Sequence, residues 1–160
     1  MLSNSGGLKD LHGEPLPIET LSGKVVLIVN VASRCGLTPQ YAGLVRLQKV
    51  LAKHDFTVLG VPCNQFGQQE PGTPSQIQTF CDTKYGVNFP LLEKQNVNGE
   101  NRSPLYDYLI RSTPGSVKDI EWNFAKFLLG RDGTVVARFG SNVAPEDPRL
   151  KQAIKNALAT

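Results

Sequence analysis

The sequence predicts an α/β fold in which two buried parallel strands are joined by a helix and followed by a β-hairpin and a closing helix. Three observations carry this expectation. Lys24-Val25-Val26-Leu27-Ile28-Val29-Asn30-Val31-Ala32 is a nearly unbroken, β-branched apolar run, the pattern of a strand buried on both faces of a sheet. A second apolar run, residues 56–61, follows a helical stretch, as a right-handed crossover to a parallel neighbour requires. Asp132-Gly133 stands between two further apolar segments and is a strong hairpin signal.

Taken in chain order, residues 8–18 hold Asp10, His12-Gly13 and two prolines and read as an added N-terminal β-hairpin. Beyond the first strand, residues 37–53 carry Tyr41, Leu44, Val45, Leu47 and Leu51 at helical spacing, with Pro39 where a first turn tolerates it. A loop rich in Gly, Gln and Pro, residues 62–74, leads to a short helix over 75–85 with an apolar face of Ile77, Phe80 and Cys81. Residues 103–111 form another helix. Residues 127–129 and 135–139 are the arms of the hairpin. Residues 145–158 place Leu150, Ile154 and Leu158 every four positions, one stripe that packs on the sheet. This order gives a central mixed sheet flanked by helices, a thioredoxin-like α/β arrangement.

A chain of 160 residues with 40% hydrophobic content suits one domain, residues 1–160, and no internal repeat interrupts it. Seventeen basic against 14 acidic side chains leave +3, with no Lys/Arg run dense enough to track a phosphate backbone, so nucleic acid is not an expected partner. Residues 1–7 have neither a basic n-region nor an apolar h-region. No stretch approaches the roughly 18 apolar residues of a spanning helix. A cytoplasmic, unexported protein without a membrane span is expected, in which the glycosylation pattern Asn101-Arg102-Ser103 goes unused.

The three cysteines, Cys35, Cys63 and Cys81, are odd in number and too few for a disulfide framework. They lack the close pairs of a structural zinc site, and His12 and His54 lie near neither a Cys nor another His, so no metal is expected. Thiol reactivity is the reading that remains. Cys35 falls where the buried strand ends and the next helix begins, where backbone N–H groups and the helix dipole favour a thiolate. The adjacent Arg34 either helps or points into solvent. Equally, a free cysteine is among the most commonly buried residues, and Cys35 could be an inert core thiol. Cys35-Gly36-Leu37-Thr38 offers no second thiol one turn on, which excludes Cys-x-x-Cys exchange and leaves single-cysteine chemistry.

Three segments narrow the choice: residues 30–38 (Asn-Val-Ala-Ser-Arg-Cys-Gly-Leu-Thr), residues 62–72 (Pro-Cys-Asn-Gln-Phe-Gly-Gln-Gln-Glu-Pro-Gly) and residues 122–128 (Trp-Asn-Phe-Ala-Lys-Phe-Leu). They resemble the signature segments of the glutathione peroxidase family, in family order, within a similarity running from about residue 8 to about residue 157. The resemblance implies that Cys35 is the peroxidatic residue, where some relatives carry selenocysteine, and that Gln69, Trp122 and Asn123 complete a catalytic tetrad. An indole N–H and two amides are suited to donate hydrogen bonds to a sulfur anion and to peroxide oxygens. Read without the resemblance, Gln69 is a solvated loop residue, Trp122 a core aromatic and Asn123 a turn former.

The implied cycle starts with the Cys35 thiolate attacking the peroxide O–O bond, which releases alcohol or water and leaves a sulfenic acid. It needs no cofactor, only a thiol reductant as co-substrate, with thioredoxin favoured and glutathione possible. Cysteine-dependent members often resolve the sulfenic acid with a second cysteine on the helix after the Gln-bearing loop. Cys81 lies there, but immediately after Phe80, one residue earlier than in that pattern. One residue turns a side chain by about 100° on a helix. Cys81 therefore either forms a disulfide with Cys35 once the helix unwinds or is a packed thiol. Cys63 reads as structural, and His12 and His54 as surface residues.

Only ten residues run from Arg111 to Glu121, where larger members of the family carry an insertion used in tetramer contacts. The expectation is a monomer or loose dimer whose open site takes organic and lipid hydroperoxides and a protein reductant. Competing readings are a peroxide sensor that relays oxidation to a partner, a metal-binding module and a non-catalytic structural domain.

Overall fold

The computed structural model describes residues 7–115 and 118–160. The readings of residues 1–6, and of residues 116–117 within the short connection, fall outside the described residues. Every residue of β1 (Val25–Val31) and β2 (Phe56–Pro62) is buried, as their apolar runs require. With β3 (Lys126–Leu129) and β4 (Val135–Phe139) they form one sheet in the order β2-β1-β3-β4. β1 and β2 are parallel, Val25 beside Phe56 and Val31 beside Pro62; β1–β3 and β3–β4 are antiparallel. The sheet is therefore mixed.

Alternation along β1 distributes its side chains to two cores. Val25, Leu27, Val29 and Val31 pack with Tyr41, Leu44 and Leu47 of α1 (Gln40–Leu51), Ile77 of α2 (Pro74–Phe80), and Leu150 and Ile154 of α4 (Pro148–Leu158). Val26 and Ile28 face the opposite way, onto Leu105, Tyr106, Leu109 and Ile110 of α3 (Pro104–Ser112). A strand with helices on both faces has no solvated side, which is why its sequence does not alternate.

Three helices start at a Ser/Thr/Asp-Pro pair, in which the side chain caps an orphan N–H and the proline occupies a position with no donor to lose. Thr73 accepts from the Gln76 N–H at 3.2 Å while the Gln76 side chain accepts from the Thr73 N–H at 2.9 Å, a complete capping box. Ser103 and Asp147 cap α3 and α4. The last helix therefore begins at Pro148 and not at 145. The helix expected over 37–53 begins at Gln40, because residues 35–39 are held in tight turns. The helix expected over 75–85 divides: α2 ends at Phe80, and Cys81–Tyr85 form one π-helical turn closed by Gly86 in the left-handed region at φ 59°. The N-terminal hairpin is confined to a single bridge, Lys9 to Pro15, and Asp10 pairs onward to Leu92. Pro15 and Pro17 have no N–H to extend that ladder. Among the described residues no helix is long and apolar enough to cross a membrane.

Gly60 of β2 accepts residues 90–92 against its backbone, donating to Pro90 O at 3.0 Å and accepting from the Leu92 N–H at 2.8 Å. A Cβ there would lie 2.6 Å from Leu91 Cδ2 and 3.2 Å from Phe89 Cε1. Gly60→Val is expected to destabilise the chain by about 1–3 kcal/mol through overpacking. The check is a lower urea midpoint at an unchanged m-value.

Candidate active site

Cys35 lies on the turn between β1 and α1 and is 9% exposed. Thr38 fixes that turn: its hydroxyl accepts from the Cys35 N–H at 2.9 Å and donates to Ala32 O at 2.8 Å. The Leu37 N–H donates to Cys35 Sγ at 3.3 Å. The sulfur thus faces a backbone donor of the turn itself, and α1 begins only at Gln40. Arg34 is exposed, and its contribution is its backbone, whose N–H donates to Gln69 O at 3.0 Å.

Gln69 follows Gly67 and Gln68, both in the left-handed region at φ 65° and 53°. These residues turn the chain so that Gln69 sits beside the Cys35 loop. Its Oε1 accepts from Asn123 Nδ2 at 3.0 Å, which leaves the Gln69 amide NH₂ with no protein partner among the described residues. Asn123 is fully buried. Trp122 is 37% exposed, with its ring 5.6 Å from that of Phe66 and its indole N–H unengaged among the described residues. Of the four residues singled out by sequence, Gln69 and Asn123 are directly bonded, Trp122 is Asn123's neighbour, and Cys35 joins them through the Arg34–Gln69 backbone bond. No hydrogen bond runs from Cys35 Sγ to the other three side chains among the described residues.

The Trp122–Asn123 pair is held by β1. The Asn30 side chain donates to Trp122 O at 3.0 Å, and the Asn30 carbonyl accepts from the Phe124 N–H at 2.7 Å. Phe124 has φ 66°, an unusual conformation for a bulky residue, and such residues cost of order 1–3 kcal/mol. Its carbonyl accepts from Lys126 Nζ at 2.7 Å. Lys126 is wholly buried, and burial pulls its ammonium down to about 8, with Glu121 opposing. Glu70, next in the chain to Gln69, is also buried. One carboxylate oxygen accepts from the Ser33 N–H at 3.1 Å and the other has no protein partner. Burial raises this carboxyl above the ordinary 4.5, opposed by Ser33 and, more weakly, by Lys94 and Arg34.

All three cysteines are free thiols. Cys81 is fully buried at the start of the π-helical turn, 3.6 Å from the Tyr41 hydroxyl. Burial pushes this thiol up to about 11; the Tyr41 hydrogen bond opposes this, and the nearby Glu70 and Asp82 reinforce it. In this conformation Cys81 faces the core, the orientation that its position beside Phe80 made possible. Cys63 is buried beside Gln65 Oε1 at 3.5 Å and is raised by burial. His12 and His54 are exposed. Among the described residues no group of three His, Cys, Asp or Glu could hold a metal ion.

Sequence reasoning did not single out Asn30, Thr38, Glu70 or Lys126. For two of them the signal was available: Asn30 interrupts an apolar run, and Lys126 opens an apolar one. A polar residue where the pattern calls for burial is a residue with partners to find.

Residues 5–110 match the protein family described as Glutathione peroxidase. That span holds Cys35, Gln69 and Cys81 and stops short of Trp122. The chain is 58% identical to Hydroperoxy fatty acid reductase Gpx2 of Synechocystis sp. (strain ATCC 27184 / PCC 6803 / Kazusa), over 94% of this chain and 96% of that protein. It is 47% identical to Thioredoxin/glutathione peroxidase BtuE of Escherichia coli (strain K12), over 95% and 94% respectively. The crystal structure of T. cruzi GPX1 superposes with a TM-score of 0.76 at 32% identity, covering 96% of this chain and 94% of that one.

The depth of Cys81 makes its accessibility a measure of how often α2 opens. Thr73→Ala removes the helix cap, worth about 1 kcal/mol, and is expected to speed iodoacetamide labelling of Cys81 at pH 8 about fivefold. Peptide mapping of the alkylated cysteines checks this, with Cys63 as internal control.

Proposed function

The chain belongs to the glutathione peroxidase family and is a thiol peroxidase; we propose that Cys35 is its reacting residue and Gln69, Trp122 and Asn123 its hydrogen-bonding partners. The observation that carries this reading is the meeting of three distant segments beside one thiol: Arg34 N–H on Gln69 O, and Asn123 Nδ2 on Gln69 Oε1. That contact leaves the Gln69 amide NH₂ unused, and with the Trp122 indole N–H it is a donor without an acceptor among the described residues, as suits a site arranged for a charge that develops during reaction. The Cys35 thiolate attacks one peroxide oxygen, the O–O bond breaks, and the departing alkoxide or hydroxide takes up a proton. The sulfur is left as a sulfenic acid.

In the second half of the cycle the Cys81 thiol condenses with that sulfenic acid, water leaves, and a Cys35–Cys81 disulfide forms. A dithiol protein of thioredoxin type then returns both cysteines to thiols. For Cys81 to reach Cys35 it must leave its contact with Tyr41, so α2 and the π-helical turn open first. A π-helical turn is a weak point of helical structure and is frequent at functional sites. The half-exposed Trp122 suits an open site for bulky organic and lipid hydroperoxides, in keeping with a relative named as a hydroperoxy fatty acid reductase. A monomer or loose dimer in the cytoplasm belongs to the same reading, since the cycle needs a compartment that keeps thiols reduced. A second reading, favoured by the burial of Cys81, is a one-cysteine cycle in which glutathione or another external thiol reduces the sulfenic acid.

Intact mass after one equivalent of hydroperoxide separates these. The native chain is expected to lose two hydrogens, Cys81→Ser to gain one oxygen, and Cys35→Ser to remain unchanged. A gain of oxygen in the native chain as well would select the one-cysteine cycle. Reaction of Cys35→Ser at the native rate would remove Cys35 from the chemistry.

A further inference from the structure

The carbonyl of Phe124 and the side-chain amide of Gln40 come from opposite halves of the site, one from the turn that carries Trp122 and Asn123, the other from the first residue of the helix that follows the Cys35 loop. A single atom bonds both: Lys126 Nζ lies 2.7 Å from Phe124 O and 2.8 Å from Gln40 Oε1. Gln40 is held in turn, its Nε2 donating to Ser141 O at 2.8 Å. Lys126 is wholly buried. Burying an ammonium is costly unless it is fully engaged, and a charged donor makes a stronger bond than a neutral one. A strand residue at this place would be well served by Val or Ile, so the cost of the charge needs an account in what it holds.

We propose that Lys126 is a positioning residue of the peroxidase site, its ammonium clamping the Trp122–Asn123–Phe124 turn to the start of α1 and so fixing both donors relative to Cys35. The proposal rests on the assignment of Cys35 made above. Phe124 adopts its left-handed conformation only because something over-determines it. Two bonds do so, the N–H on Asn30 O and the carbonyl on Lys126 Nζ. Removing the second frees the peptide after Phe124 to rotate toward the ordinary regions. Asn123, one residue earlier, then loses its alignment on Gln69 Oε1. Gln40 loses its hold on the turn, and with it the tie between α1 and the donors. Lys126 does not touch the peroxide; it acts on the geometry of the groups that do. A misplacement of about 1 Å in such groups is enough to cost about 10²-fold in rate.

Trp122 is the only tryptophan of the chain, so its emission reports the turn directly. The test compares the native chain with Lys126→Met, which keeps the length of the side chain and removes the charge, and with Gln40→Leu, which leaves the ammonium on Phe124 and cuts the tie to α1. Two quantities are read on folded proteins: the Trp122 emission of the reduced chain without peroxide, and the second-order rate of Cys35 oxidation by tert-butyl hydroperoxide. The expected result for Lys126→Met is a shifted emission maximum and oxidation at least tenfold slower, while reduction of the oxidised protein by dithiothreitol stays within about twofold of native. Gln40→Leu is expected to slow oxidation in the same direction.

Native emission in folded Lys126→Met overturns the proposal whatever the rate, and so does a native rate whatever the emission. Where Lys126→Met does not fold, Gln40→Leu decides by the same two readings. Failure of the native chain itself to oxidise at Cys35 would overturn the functional assignment instead, and the emission comparison would still stand on the reduced proteins.

Discussion

One amide in an apolar strand holds the reactive end of this molecule together. β1 is buried on both faces, so a polar side chain within it has no water to turn to and must find protein partners. Asn30 finds two of them in the turn after residue 121: its Nδ2 donates to the Trp122 carbonyl and its backbone carbonyl accepts from the Phe124 N–H, while its Oδ1 has no partner among the described residues. Cys35 leaves the same strand four residues after its last member, so the strand that presents the thiol also anchors the indole and the amide. Rigidity of the central strand becomes alignment of the site. A site hung from loops alone would have to recover that precision by closing on its substrate.

In the proposed mechanism the donors are in place before the charge arrives. The Gln69 amide gives its oxygen to Asn123 and keeps its N–H bonds, and the Trp122 indole keeps its own. In a partly desolvated site such donors act at low dielectric and need no reorganisation when a sulfur anion or an alkoxide forms. Two buried ionisable groups border this arrangement with opposite displacements, Glu70 raised and Lys126 lowered, each by loss of water. Glu70 holds the Ser33 end of the cysteine loop and Lys126 the Phe124 end of the tryptophan turn.

The sheet and its helices were legible because burial on two faces writes itself as an unbroken apolar run and because the helical segments repeat their apolar residues every three or four positions. Boundaries were less so. The turns after Cys35 displace the start of α1 to Gln40, and they are fixed by the Thr38 hydroxyl bridging the Cys35 N–H and Ala32 O, a local side-chain contact that apolar periodicity does not register. The four residues of the tetrad came from the resemblance of three segments, not from their own spacing: Gln69, Trp122 and Asn123 are each unremarkable in isolation, and only the fold brings Gln69 onto Asn123. Lys126 opens an apolar run, which marks it as a polar residue to explain but does not say with what it pairs. Nothing local says that its ammonium turns inward to a carbonyl two residues back.

In the two-cysteine cycle we propose, the placement of Cys81 against Tyr41, deep in the core, sets a limit on what the protein can endure. In the proposed cycle the sulfenic acid on Cys35 waits for α2 to open, and during that wait a second peroxide molecule can carry it on to the sulfinic state, which ordinary thiols do not reverse. The outcome is a race between a local unfolding rate, fixed by the fold, and an oxidant concentration, fixed by circumstance. At low peroxide flux the helix wins and turnover continues. Above the concentration at which the two rates cross, the enzyme consumes itself, so the strength of a capping box around Thr73 would determine the dose at which an antioxidant catalyst becomes a single-use scavenger.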